Sequence, residues 1–277
     1  MEKLLSFLSL NFVLKESILK AASATRRPIT TTMSLSPPNN SSNDRQMEQA
    51  IEKYYDATKD RLVRQDLITA VSLARENINQ QLLRSKETTN VAIDCGCGAG
   101  SDVAYLLKCG FTVHAFDVEA SAITRCQKRF SGDPMVHLTQ ASFADFSYPQ
   151  ASLIVADASL FFCPPDQFDA VWGHITNALV RGGVFVGSFL GQDDSMAQPS
   201  VTSKECCAEE AVKRRLDAAV YWPEVLVFSE EALKSRLEGV LEIVSWQEHR
   251  KTGQVPGGTG KSQPHSWHIF SVVAVKI

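Results

Sequence analysis

The spacing of apolar positions changes period along the chain. Ile51, Tyr54 and Tyr55, then Leu67, Val71, Ala74, Ile78 and Leu82, recur every three or four residues, which predicts one helix ending near Asp56 and another over 64–84. Lys59, Asp60 and Arg61 fall in the turn between them. From residue 91 the pattern becomes short β-rich runs alternating with amphipathic stretches. Strands are predicted over 91–94, 112–117, 135–139, 151–156 and 184–190, and helices over 99–108, 119–130 and 166–180, the last closed by Gly182-Gly183. This order implies a parallel sheet covered by helices on both faces. Residues 191–227 break the rhythm, and Cys207, Val212, Leu216 and Ala219 suggest an inserted amphipathic helix. Ser229 then reads as the N-cap of a helix to Leu237, with Glu230 and Glu231 at its positive end. Strands over 241–246 and 267–275 complete the pattern, joined by a loop over 251–264 that requires them to be antiparallel. The expected fold class is α/β, a doubly wound and mostly parallel sheet of seven strands with an antiparallel final strand.

A chain of 277 residues with 44% hydrophobic content can bury one sizeable core. Residues 24–43 are rich in Ser, Thr, Pro and Asn, and Pro28, Pro37 and Pro38 bar a long helix there. Residues 1–46 are therefore an extension and flexible linker, and 47–277 the folded domain. Leu4 to Leu14 has the length of a leader core, and AASA at 21–24 leaves cleavage open. The flanking Glu2-Lys3 and Lys15-Glu16 favour a plain N-terminal helix. A net charge of −3 gives no broad positive field, which argues against nucleic acid as the main partner. No apolar run reaches the roughly 18 residues of a membrane span, so no membrane partner is expected. Seven cysteines, with Cys95, Cys97, Cys109 and Cys126 in apolar or glycine-rich segments, read as reduced thiols and point to the cytoplasm.

The most specific signal is VAIDCGCGAG at 91–100, a strand running into Gly96, Gly98 and Gly100 before a helix opens. Glycine is needed where a backbone turns tightly and approaches a ligand. A dinucleotide fingerprint GxGxxG would place its third glycine at 101, where this chain has Ser101, which disfavours a nicotinamide oxidoreductase. Asp117, in HAFDVEA, ends the second strand beside this loop, where a carboxylate can accept both hydroxyls of a ribose. The plainer alternatives are that Asp94 caps local amides and that Asp117 starts the next helix.

This loop resembles motif I of the class I S-adenosylmethionine-dependent methyltransferases. The segments YYDATKDRLVRQDL, VAIDCGCGAGSD, LIVADASLFFCPPDQFDAVW, RGGVFVGSFLGQDD and SWHIFSVVAVK resemble a branch related to tellurite-resistance methyltransferases. The resemblance covers 47–277 and implies a Rossmann-like fold with S-adenosylmethionine as cofactor. It puts Asp94, Gly96, Gly98 and Gly100 around the methionine moiety, Asp117 on the ribose, and Ser142 with Phe143 beside the adenine. Many members carry Asp where this chain has Ser142, which leaves the backbone amide of Phe143 to serve the base. It also makes 47–86 a helical lid, in which Arg61 or Arg64 pairs with the methionine carboxylate and Tyr54 or Tyr55 closes over the site. The extension and the insert over 191–228, with Cys206-Cys207, fall outside the family pattern.

The implied reaction is in-line transfer of a methyl group to a small-molecule acceptor, with a catalytically silent cofactor-binding regulatory module as the alternative. Phe161 and Phe162 are placed either against a sulfonium or in ordinary core packing. Ala158, Ser159 and Pro164-Pro165 would line the acceptor mouth. Strand alternation puts His265 and His268 on opposite faces, a poor metal pair for which a structural role is expected, and His174 reads as a surface or core histidine. Adjacent Cys206-Cys207 without a second pair assigns no metal.

Overall fold

Four of the five residues of Val91–Cys95 are buried, so this first strand, β1, is covered on both faces. In the computed structural model the described residues are 55–56, 58–83, 89–197, 225–256 and 262–277. The expected extension and linker over 1–46, the helix from Met47 with Tyr54, the Cys206-Cys207 helix and the tip of the final loop lie outside them. The chain divides into two compact units, one of residues 58–199, 224–253 and 265–277, the other of 1–57, 200–223 and 254–264. In the second, Tyr55 is buried within a helical turn. The first carries the sheet.

In that unit α1 (Gln65–Leu83) precedes β1; then come α2 (Ser101–Lys108), β2 (Thr112–Asp117), α3 (Ala120–Arg129), β3 (Val136–Gln140) and β4 (Ala151–Ala156). A 3-10 turn (Leu160–Phe162), α4 (Phe168–Ala178), β5 (Leu179–Gly191), β6 (Val227–Phe228), α5 (Glu230–Leu237), β7 (Leu241–Pro256) and β8 (Ser262–Lys276) follow. The sheet order is β3-β2-β1-β4-β5-β8-β7. β1 to β5 pair in parallel, and β8 runs antiparallel to β5, with Leu190 opposite Ile269 and Val184 opposite Val275.

Alternation along the strands builds two core layers. Ile93, Phe116, Ile154 and Phe185 face one layer, which α4 and α5 cover with Phe168, Val171, Leu233 and Leu237. Ala92, Val113, Val155 and Val186 face the other, covered by Leu67 and Val71 of α1, Val103 and Leu106 of α2, and Ile123 of α3. The sheet is thus doubly wound, as the alternating pattern predicts.

Three details depart from the expectation. The sheet has eight strands among the described residues, because Val227–Phe228 adds a short parallel strand to the end of β5. The helix before β5 ends at Ala178, so Gly182-Gly183 lies within the strand and not at the helix terminus. Ala151 pairs with Leu179 but Leu153 with Val184, so β5 bulges, and Gly182 takes the required positive φ of 77°. Finally, β7 and β8 extend through most of the predicted loop, because Gly253 lets the Trp267 ring approach to where a Cβ would stand 2.9 Å away.

Candidate functional site

The strand order reverses at β1 and β4, and such a reversal opens a crevice at the carboxyl ends of the strands. The loop after β1 and the loop after β4 flank it. In the first, Gly96, Gly98 and Gly100 all have left-handed φ, at 79°, 52° and 75°, and Gly100 is the N-cap of α2. Space excludes a side chain as well: a Cβ on Gly96 would lie 2.7 Å from Ser159 Cβ, and one on Gly100 would lie 2.7 Å from the Phe130 ring and 2.9 Å from Cys126 Sγ. The Gly96 and Cys97 amides both donate to Phe116 O, at 2.8 and 3.0 Å, which fixes the loop to β2.

Asp117 completes this attachment. Its Oδ2 accepts the Gly98 amide at 2.9 Å and its Oδ1 the Glu119 amide at 3.0 Å. Asp117 therefore holds the loop and also starts the next helix. Beside it, Val118 is exposed, and Ala141 N donates to Asp117 O, bringing the end of β3 alongside. Ser142 spends its hydroxyl on Asp145 Oδ2 at 2.6 Å, while Phe143 packs edge-on to Phe116 and its carbonyl accepts from Tyr148 Oη. The structure thus gathers the glycines, Asp117, Ser142 and Phe143 around adjacent strand ends.

Asp94, the penultimate residue of β1, is 3% exposed, and its Oδ2 has no hydrogen-bond partner. Burial, reinforced by the nearby Asp102 carboxylate, pushes its pKa well above the ordinary carboxylate range. A buried carboxyl oxygen without a partner suits a cationic ligand group, and a loop in which Cβ atoms do not fit suits close approach of a ligand to the backbone.

Residues 58–64 form a strap beside the same crevice. Arg61 donates to Asp157 Oδ2 at 3.0 Å and to Asp102 Oδ2 at 2.5 Å. Arg64 donates to Asp66 at 2.8 Å; its Nε lies 2.9 Å from Asp157 Oδ2, close enough for an ion pair but without hydrogen-bond geometry. Burial alone would raise the Asp157 pKa, but Arg64 and Arg61 overcome it and hold this carboxyl below its usual range. Burial, only partly offset by Arg64, raises Asp66. Neither Asp102 nor Asp157 was singled out by pattern, although Asp102 follows the glycine loop directly and Asp157 follows β4.

After Asp157, Ala158 is the one non-glycine residue among those described with positive φ, at 47°. Its amide donates to Ser188 Oγ at 2.7 Å, and Ser188 Oγ donates to Asp157 Oδ1 at 3.0 Å, which stabilises the strained turn. Ser159 Oγ donates to Cys95 O, joining the two loops. Phe161 and Phe162 are buried, 4.5 Å apart between ring centres.

The remaining candidates lie elsewhere. His268 Nδ1 accepts the Asp193 amide, so its Nε2 carries the proton toward Glu248 Oε1 at 2.9 Å. His265 Nε2 approaches the buried Asp194, whose other oxygen takes the His268 amide. These partners fit the structural role expected of both histidines. His174 is exposed beside Tyr148. Among the described residues no three His, Cys, Asp or Glu side chains group to hold a metal, and no helix is long and apolar enough to cross a membrane.

Residues 92–183 match a protein-family model described as a methyltransferase domain. No curated protein matches the chain. Among solved structures, TehB from Haemophilus influenzae shares 13% identity at a TM-score of 0.52, covering 82% of this chain and 67% of its own. NodS, an N-methyltransferase from Bradyrhizobium japonicum in complex with S-adenosyl-L-homocysteine, shares 17% identity at a TM-score of 0.45, covering 73% and 86%. Magnesium protoporphyrin IX methyltransferase from Synechocystis PCC 6803 shares 13% at 0.46, covering 83% and 95%. The likeness to TehB is one of fold.

Proposed function

We propose, taking the methyltransferase domain at residues 92–183 as the premise, that the chain uses S-adenosylmethionine to methylate a small-molecule acceptor by in-line displacement. The observation that carries this reading is the buried, unpaired Asp94 Oδ2 beneath a loop of three left-handed glycines, with the Asp117 carboxylate tied to the same loop.

When bound, S-adenosylmethionine supplies a methyl group already activated on a sulfonium. The protein's task is then to position the acceptor and exclude water. In this reading Asp94 takes the ammonium of the methionine moiety, Gly96, Gly98 and Gly100 let the backbone approach it, and Asp117 accepts from the ribose. The Phe143 amide serves the adenine edge, since the Ser142 hydroxyl is already engaged by Asp145. Arg64 suits a ligand carboxylate through its Nη2, which is buried, makes no hydrogen bond and stands 3.7 Å from Asp102 Oδ2. Phe161 and Phe162 offer aromatic faces behind the strained turn at Ala158. Burial of Asp94, Ser159, Phe161 and Phe162 favours a small acceptor over a macromolecular one.

Calorimetry with S-adenosylmethionine and S-adenosylhomocysteine tests the reading. Binding should be present in the intact protein and weakened at least about tenfold by Asp117→Ala, the scale of one lost charge-assisted hydrogen bond. An intact protein that binds neither compound contradicts it.

A further inference from the structure

Arg129, the last residue of α3, had no role in the sequence pattern. Its Nη1 donates to two carbonyls at once, Ala99 O in the glycine loop at 3.0 Å and Lys59 O in the strap at 2.6 Å, and its Nη2 lies 3.4 Å from Asp60 Oδ1. The guanidinium also rests over the Phe130 ring at 5.4 Å, and the edge of that ring is the surface against which Gly100 packs. Arg129 therefore bonds the loop directly and rests on the ring that packs against Gly100. Ser101, the first residue of α2, adds a parallel tie: its Oγ lies 2.5 Å from Thr58 O and 3.0 Å from Lys59 O. Thr58, Lys59 and Asp60 are consecutive, so the whole front of the strap is fastened to the residues on either side of Gly100.

We propose that Arg129 is a positioning residue that couples the strap at 58–64 to the glycine loop, so that cofactor enters and leaves only when the two move together. A strap held by Arg61 and Arg64 alone would be anchored to Asp102 and Asp157, which follow the glycine loop and β4, with no bond to the glycine stretch itself. The shared Nη1 removes that independence: lifting Lys59 breaks a bond to the same nitrogen that holds Ala99. The ionic contact with Asp60 adds little, because that carboxylate is 75% exposed. The coupling therefore resides in the two carbonyl bonds, which are charge-assisted, the one to Ala99 O part-buried and the one to Lys59 O exposed. Ser101 thus has a positive role, fastening the strap with a hydroxyl that glycine could not supply.

The reading of the loop as the S-adenosylmethionine site underlies the kinetic half of this proposal, and a ligand-free measurement tests the coupling by itself. In the full chain without ligand, amide hydrogen exchange in Arg129→Ala should quicken over 58–64 and over 96–100 together, while α1 and the β4–β5 core keep their protection. The melting temperature should stay within about 2 °C, as expected for a side chain that is 29% exposed. With S-adenosylhomocysteine as probe, stopped-flow dissociation should accelerate about tenfold in Arg129→Ala and by less in Arg129→Lys, which retains a cationic donor without the fork. Exchange that quickens in the strap alone, or in neither segment, overturns the coupling. So does a general loss of protection with a lowered melting temperature, which would mark Arg129 as merely structural. Failure of the unaltered protein to bind the probe would refute the functional reading and leave the exchange result to decide the coupling.

Discussion

Asp94 and Asp157 stand at the carboxyl ends of neighbouring strands and are driven in opposite directions, Asp94 toward the neutral acid and Asp157 toward the anion. Burial weighs on both; the difference is that Arg64 and Arg61 contact Asp157 directly, whereas Asp94 feels them weakly and feels the Asp102 charge more. One crevice therefore holds a carboxyl pushed toward the neutral acid beside one held toward the anion.

A proton linkage follows. An ammonium ligand at Asp94 stabilises the carboxylate form, so binding of S-adenosylhomocysteine should release a proton and tighten as pH rises toward the raised Asp94 pKa. Calorimetry in buffers of different ionisation enthalpy measures the proton directly. Asp94→Asn should abolish the release. In the ligand-free protein the sign is opposite for stability: the folded state binds this proton more tightly than the unfolded chain, so the Asp94 contribution falls as pH rises above about 4.

Gly100→Ala should be costly on two counts. The residue must hold φ near 75°, and its new methyl would meet Phe130 and Cys126 within 3 Å. Together these amount to about 3 kcal/mol or more, read as a lowered urea midpoint. By contrast Gly110, also at positive φ but with open space around its Cβ position, should lose only about 1–2 kcal/mol on the same change.

At the far end of β5, a Cβ on Gly191 would sit 2.2 Å from His268 Nδ1. Gly191→Ala should displace the imidazole from Asp193 and Glu248 and cost about 3 kcal/mol. Adding His268→Ala should recover part of that loss, giving a clearly non-additive double-mutant cycle in denaturant unfolding. Full additivity would mean that the backbone, not the ring, moves aside.

His114 and His137 are register partners on β2 and β3, with rings 4.4 Å apart. Burial first, and then the neighbouring imidazole, lowers the His114 pKa. Its folded state therefore binds protons more weakly than the unfolded chain, and stability should decline as pH falls below about 6.5. The difference in urea midpoint between the unaltered protein and His114→Gln, followed from pH 8 to pH 5, isolates this part. A constant difference would refute it.

The parts of the molecule that were legible in the sequence depend on short-range pattern. The parallel order of β1 to β5 follows from alternating periods, and the Gly96, Gly98 and Gly100 turn with Asp117 follows from a strand-loop-helix passage and the next strand end. The Arg61 and Arg64 network was not legible, because Arg61 meets Asp157 across 96 residues of chain and only the fold brings them together. Gly182-Gly183 misled for a different reason: glycine with positive φ ends helices and also makes strand bulges, and the choice is made by β4, which Gly182 does not know locally. The loop expected over 251–264 is likewise largely strand, where Gly253 admits the Trp267 ring.

The helix α1 has a consequence for how the protein can be cut. Asn77 and Gln81, near its end, donate to Gly182 O and Arg181 O in the bulge of β5, while Asp66, at its start, receives Arg64 beside the crevice. Nineteen residues at 1.5 Å each make it a strut of about 28 Å that braces the sheet from floor to rim. A fragment trimmed to residues 92–183 would shed that strut, the greater part of β5 and its antiparallel partner β8 together, leaving Ala92 and Val155 without their cover; the candidate site is thus inseparable from segments far outside the glycine loop.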